Sequence, residues 1–108
     1  MSDLFPLSIC SSVVRFGTAD EGYELHVAHG DAERVFRARI TFATAFAVTP
    51  LVHVAVSGFD IDHGDTARLR VAAEAITPTG FDLVLTTWLG TKVYSAEAAW
   101  IAIGQPAA

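Results

Sequence analysis

Charge is scarce in this sequence, and basic charge is scarcer still. Of 108 residues only 18% are charged, against about 25% in an ordinary soluble domain. The 7 basic residues are outnumbered by 12 acidic ones, giving a net charge of −5, and no basic stripe runs along the chain. Nucleic acid is therefore not an expected partner, because its phosphates demand clustered Lys and Arg. One cysteine, Cys10, leaves no internal disulfide. Set beside Ile9 and close to Val13-Val14, it reads as a small buried hydrophobe rather than a reactive thiol. No apolar run approaches the ~20 residues of a membrane-spanning helix, so membrane insertion is not expected. Met1-Ser2-Asp3 lacks the positive start of a secretory signal. The expectation is cytoplasmic synthesis, with non-classical export or surface display left open.

What is abundant is apolar. Hydrophobic residues make up 52% of the chain, more than the core of one small sandwich absorbs. Two explanations stand side by side: apolar surface buried between subunits, or an Ala-rich composition that inflates the count. The length allows one domain, 1–108, and no second core. No stretch has the period of an amphipathic helix. Runs of β-branched and aromatic residues recur between turn signals, the pattern of an antiparallel sandwich. This pattern predicts strands near Ser12–Phe16, Tyr23–Ala28, Arg34–Phe42, Leu51–Phe59, Arg68–Ile76, Gly80–Trp88 and Val93–Ile103. The third is the clearest, with Phe36, Ala38, Ile40 and Phe42 on one face and Val35, Arg37, Arg39 and Thr41 on the other. In the fifth, Leu69, Val71, Ala73 and Ala75 point inward, and Arg68, Arg70, Ala72 and Glu74 outward. Turns are read at His29-Gly30-Asp31, at Pro78-Thr79-Gly80 and at Leu89-Gly90-Thr91, the last closing a hairpin between Trp88 and Tyr94.

Few residues carry chemistry by pattern alone. Asp60-Ile61-Asp62-His63-Gly64-Asp65 loosely resembles a calcium loop, but its glycine comes one place early and Val71 stands where a bidentate Glu belongs. The four histidines, His26, His29, His53 and His63, lack zinc-ligand spacing. No serine sits in an elbow motif. Neither a metal nor a cofactor is expected, and the chain does not read as an enzyme. Trp88 and Tyr94 flank a short glycine-containing loop, and two readings of them remain open. They are a cross-strand pair bracing a hairpin, or rings that cover the apolar C–H face of a pyranose while charged neighbours meet its hydroxyls.

An ordered set of pieces favours the sugar. Ile40-Thr41-Phe42, Thr49-Pro50-Leu51-Val52, Arg68, Ile76-Thr77-Pro78-Thr79-Gly80-Phe81, Thr87-Trp88, Thr91-Lys92-Val93-Tyr94-Ser95 and Trp100-Ile101-Ala102-Ile103 together resemble the H-type lectin family. The likeness is strongest over 40–103 and does not reach the first 25 or so residues. It implies an all-β, six-stranded antiparallel β-sandwich that binds galactose or N-acetylgalactosamine on glycans without a metal. It also implies a homotrimer, with pairing of trimers into hexamers left open. By position, Asp31 matches the family carboxylate that accepts sugar hydroxyls, Arg68 the family arginine, Trp88 the tryptophan and Tyr94 the tyrosine. Gly30 falls in the loop whose backbone approaches the ligand. The resemblance places the site in a cleft between neighbouring subunits. Leu89 departs from the pattern, standing where the edible-snail agglutinin has a sugar-contacting histidine, and Thr66 stands where many members have Asn. Arg70 is the alternative to Arg68 if a bulge shifts the register.

Overall fold

The computed structural model describes residues 6–28 and 30–107. It holds six strands: β1 (Ser8–Gly17), β2 (Arg34–Thr41), β3 (Leu51–Ile61), β4 (Arg70–Thr77), β5 (Gly80–Thr87) and β6 (Val93–Gly104). They form two antiparallel three-stranded sheets, ordered β1-β6-β3 and β2-β5-β4, packed face to face. The fold is the all-β sandwich that the sequence resemblance implies. No helix among the described residues is long and apolar enough to cross a membrane.

Alternation builds the core. β2 buries Phe36 and half-buries Ala38 and Ile40, with Phe42 buried just beyond its end, while Val35, Arg37, Arg39 and Thr41 face out, as its period of two requires. At one end Phe42, Phe46, Phe81 and Trp100 meet with ring centroids 5.2 to 6.0 Å apart. At the other Phe16, Phe36 and Tyr23 meet at 5.1 and 5.3 Å. Such tilted and edge-on pairs suit the ring quadrupoles. Cys10 is half-buried and packs against this core. The turn at Pro78–Gly80 joins β4 to β5, and Gly80 is needed there for close approach: a Cβ would run into the carbonyl oxygen of Ile40.

Three sequence expectations are corrected. Tyr23–Ala28 is not a strand. Its alternation does bury Tyr23 and Leu25, but its amides close turns instead of a ladder, Tyr23 N–H donating to Asp20 O and Val27 N–H to Glu24 O. The β4 pattern breaks at Ala75, which has φ 48° and is exposed. That bulge passes the inward role to Ile76, because one extra residue reverses the faces after it. Finally, β5 and β6 belong to different sheets. Trp88–Lys92 is thus a crossover between the layers, and Trp88 and Tyr94 are not a cross-strand pair.

The turn-rich segment is held down from both sides. Val93 N–H donates to Leu25 O at 2.8 Å, and the Tyr23 hydroxyl donates to Val93 O at 2.8 Å. Arg34, only 7% exposed, completes the closure. Its Nη1 donates to Leu25 O at 3.3 Å, to Val27 O, and to Thr91 O at 2.8 Å. Its Nη2 donates to Leu89 O at 2.6 Å. One guanidinium therefore joins the 23–28 segment to the β5–β6 crossover, using donors whose fixed fork matches several carbonyls at once.

Two outcomes are expected. Burial, followed by the Asp20 charge, pushes the Tyr23 phenol up to about 12. A group raised above its unfolded value of about 10 stabilises the fold fully below that value and stops doing so as pH rises to about 12. Urea unfolding across that alkaline span should show a loss of stability that is smaller in Tyr23→Phe. Arg34→Met should remove the guanidinium bonds to four carbonyls, of which Leu25 O keeps the Val93 N–H, costing about 3 kcal/mol and roughly 10–20 °C in Tm. A calorimetric Tm within a few degrees of the parent's would contradict this role.

Candidate sugar-binding site

Three chain segments leave the same end of the β2-β5-β4 sheet. Arg34 pairs with Thr87 and Arg70 with Thr86. The loop Gly30–Glu33, the approach Asp65–Leu69 and the crossover Trp88–Lys92 therefore start side by side. Gly30 takes φ 60°, in the left-handed region that glycine enters without steric cost, and Asp31 beside it is exposed. Arg34 Nε faces Ala32 O at 3.5 Å, so the side chain that grips the crossover also touches this loop.

Arg68 is fixed by the crossover rather than by a strand, because β4 begins only at Arg70. Its Nη1 donates to Thr91 Oγ1 at 2.9 Å and lies 3.5 Å from Asp65 Oδ2. Thr91, fully buried, donates its own hydroxyl to Thr66 O at 2.5 Å. Thr87 Oγ1 donates to Arg68 O at 2.5 Å. The Asp65 carboxyl is held below its ordinary range, first by the Thr66 N–H at 2.6 Å and then by Arg68. It stays ionised beside Arg68 and keeps that cation in place. Gly90 leaves room for this carboxylate, since a Cβ there would strike Asp65 Oδ2.

Trp88 is half-buried, and Leu89 is exposed with φ 55°. The carbonyl of Leu89 is the acceptor for Arg34, so this strained backbone is over-determined by a charge-assisted bond. The structure thus gathers Arg68, Trp88, Leu89 and the Gly30–Asp31 loop at one end of the molecule. Tyr94, the second residue of β6, lies at the same end but on the far side of the crossover from Trp88. It sits at an irregularity of β6 in the other sheet, where Asp60 pairs with Ser95 and Ile61 with Val93. It lines an open concavity of about 310 Å³ with Arg15, Thr18 and Asp20. His29, part of the expected turn, lies outside the described residues.

Sequence reading missed Arg34 as a determinant of the site. The signal was present: it occupies the same phase as Phe36, Ala38 and Ile40, so the period that buries those residues buries Arg34 too. An inward arginine with no carboxylate in phase had to meet backbone carbonyls. Thr91, the buried relay between Arg68 and Thr66, carried no such signal.

The family model for the H-type lectin domain matches residues 37–103. A protein of Fuscovulum blasticum described as ATP synthase subunits region ORF 7 is 41% identical over 75 residues, 69% of this chain and 65% of that protein. Among solved structures, discoidin II of Dictyostelium discoideum superposes with a TM-score of 0.74 at 24% identity, over 91% of this chain and 37% of that one. The R1 pyocin fiber of P. aeruginosa superposes with a TM-score of 0.56 at 21% identity, over 91% of this chain and 23% of that one. These two share the fold, and the chain spans less than two thirds of each of these relatives. Since the family model covers more than half of the sequence, the chain belongs to the H-type lectin family.

Proposed function

We propose that this chain is a non-catalytic lectin subunit that binds galactose or N-acetylgalactosamine on glycans and works as a homotrimer. The observation that carries the reading is the convergence of Arg68, Trp88 and the Asp31 loop at one end of the β2-β5-β4 sheet. An ionised carboxylate accepts from hydroxyls, a guanidinium donates to two neighbouring oxygens, and an indole covers a pyranose C–H face. Arg68 is held by Thr91 and Asp65 before any ligand arrives, which lowers the ordering cost of binding.

The outer face of the β1-β6-β3 sheet supports self-association. Ile9, Ile103 and Leu51 stand in one row across the three strands, with Ile9 63% and Leu51 72% exposed. The next rows are Ser11-Ile101-His53 and Val13-Ala99-Ala55. Apart from Ser11 and His53 these rows are apolar, more than a free monomer usually exposes in one place, and a closed ring would bury one copy on each subunit. Tyr94 fits the same reading. It lies in the sheet that bears this face, apart from Trp88, so a neighbour's Tyr94 can complete the cleft that one chain leaves open.

A second reading is that the chain is a structural or adhesion subunit of a larger particle, with the fold kept and sugar binding lost. Leu89 favours it by removing one polar contact. The likeness to a pyocin fiber shows that the fold is also found in a tail fiber.

A glycan array with the purified chain separates the two readings. Galactose-terminated or N-acetylgalactosamine-terminated glycans should bind, and Asp31→Ala should weaken monosaccharide binding at least about tenfold, the loss of a charge-assisted bond of roughly 1.5–3 kcal/mol. Asp31→Ala and Arg68→Ala proteins that both bind like the parent would put the scaffold reading first. Light scattering at micromolar concentration should report about three chain masses. A monomer would remove both the ring and the shared cleft.

A further inference from the structure

Trp88 is not free on both faces. The Arg70 guanidinium carbon lies over the ring, 5.2 Å from its centroid. Arg70 Nη2 also lies 3.5 Å from Glu33 Oε1, with the two side chains 57% and 58% exposed. Glu33 is two residues beyond Asp31 on the same loop. Arg70 pairs with Thr86, two residues before Trp88. One exposed cation thus links the indole to the loop that carries the carboxylate.

We propose that Arg70 is a positioning residue of the sugar site, setting the Trp88 ring and the Asp31 loop relative to each other and leaving one indole face for the pyranose. The inference rests on Trp88 and Asp31 being sugar contacts. Arg70 itself touches no sugar in this arrangement. Both of its interactions are electrostatic: a guanidinium over an indole face, and an exposed ion pair that salt screens. Pyranose binding to Trp88 and Asp31 therefore becomes salt-sensitive although galactose and N-acetylgalactosamine carry no charge. Leu89 makes the link more consequential, because the crossover side chain next to Trp88 offers no polar group to orient the sugar.

The test uses the full chain and two probes, N-acetylgalactosamine as ligand and the ¹⁵N-indole signal of Trp88, assigned by its loss in Trp88→Phe. Arg70→Met should shift that signal before sugar is added and weaken N-acetylgalactosamine by roughly two- to fivefold. Arg70→Lys, which keeps the charge without the flat fork, should fall between. Glu33→Gln should weaken binding less, and the double variant should be no weaker than Arg70→Met, since the two act in series. Raising salt to about 1 M, where the screening length is about 3 Å, should weaken the parent more than Arg70→Met. An indole signal unmoved by Arg70→Met, equal salt dependence in both proteins, or strict additivity of the two substitutions would each overturn the assignment. A parent chain that binds no sugar at all overturns the sugar-site reading first, and this inference with it.

Discussion

The Arg34 guanidinium lies inside one end of the sandwich, and among the described residues none of its hydrogen bonds goes to a carboxylate. Its acceptors are the carbonyls of Leu25, Val27, Leu89 and Thr91, with Ala32 at the margin. A buried cation is tolerable only when its donors are satisfied, and here satisfaction requires two irregular segments to turn their carbonyls to one point. The 23–28 segment and the β5–β6 crossover owe their courses to the same side chain. Everything the candidate site presents is attached to them. Leu89 is in the left-handed region with its carbonyl on Arg34, Thr91 holds Arg68, and Trp88 begins the crossover. A shift of Arg34 would be felt at each of these residues together.

The two outer faces differ in how they meet solvent. On the β2-β5-β4 sheet, Arg37 and Arg39 are laced to Glu74 and Asp82 at 3.0 to 3.4 Å, and Arg39 also donates to Ala75 O and Thr77 Oγ1. Such exposed pairs add little stability individually, but they make a polar surface that stays wet. The β1-β6-β3 face carries Ile9, Val13, Leu51, Ile101 and Ile103 in register instead. The sparse charge of the sequence is therefore unevenly spent. Ala-rich composition accounts for Ala55 and Ala99 on that face, but not for the row of Ile9, Ile103 and Leu51.

Legibility in the sequence followed periodicity and failed where backbone pairing decided. β2 and the Pro78–Gly80 turn were readable because alternation and turn chemistry act over a few residues. Tyr23–Ala28 misled because burial alternates there without a neighbouring strand to pair with, and a period of two reports burial rather than hydrogen bonding. The β4 bulge at Ala75 was invisible, since alanine carries no signature of a positive φ. The Leu89-Gly90-Thr91 turn was recognisable as a turn, yet nothing local says whether the chain returns to the same sheet or crosses to the other. That choice depends on Trp100, Ala98 and Ala96 packing under the opposite layer. The resemblance named Arg68, Trp88 and Asp31 by position; it took the three-dimensional arrangement to show that Tyr94 stands apart from them.

That separation bears on how so dispersed a site can be useful. Its polar groups are spread along three loop segments, and Leu89 supplies no polar side chain among them, so a single monosaccharide has few contacts to meet in one chain. Affinity from such a surface grows by two routes that need no additional contact within the chain. Preorganisation is one: Arg68 is already bonded to Thr91 and beside Asp65, so little ordering is left to do. Repetition is the other, because sites held on one rigid assembly make later binding events intramolecular and multiply apparent affinity. The apolar sheet face and the displaced Tyr94 both concern the second route. A subunit boundary running past Tyr94 would add an aromatic ring to each site and multiply the sites at once, so assembly and recognition would depend on one interface.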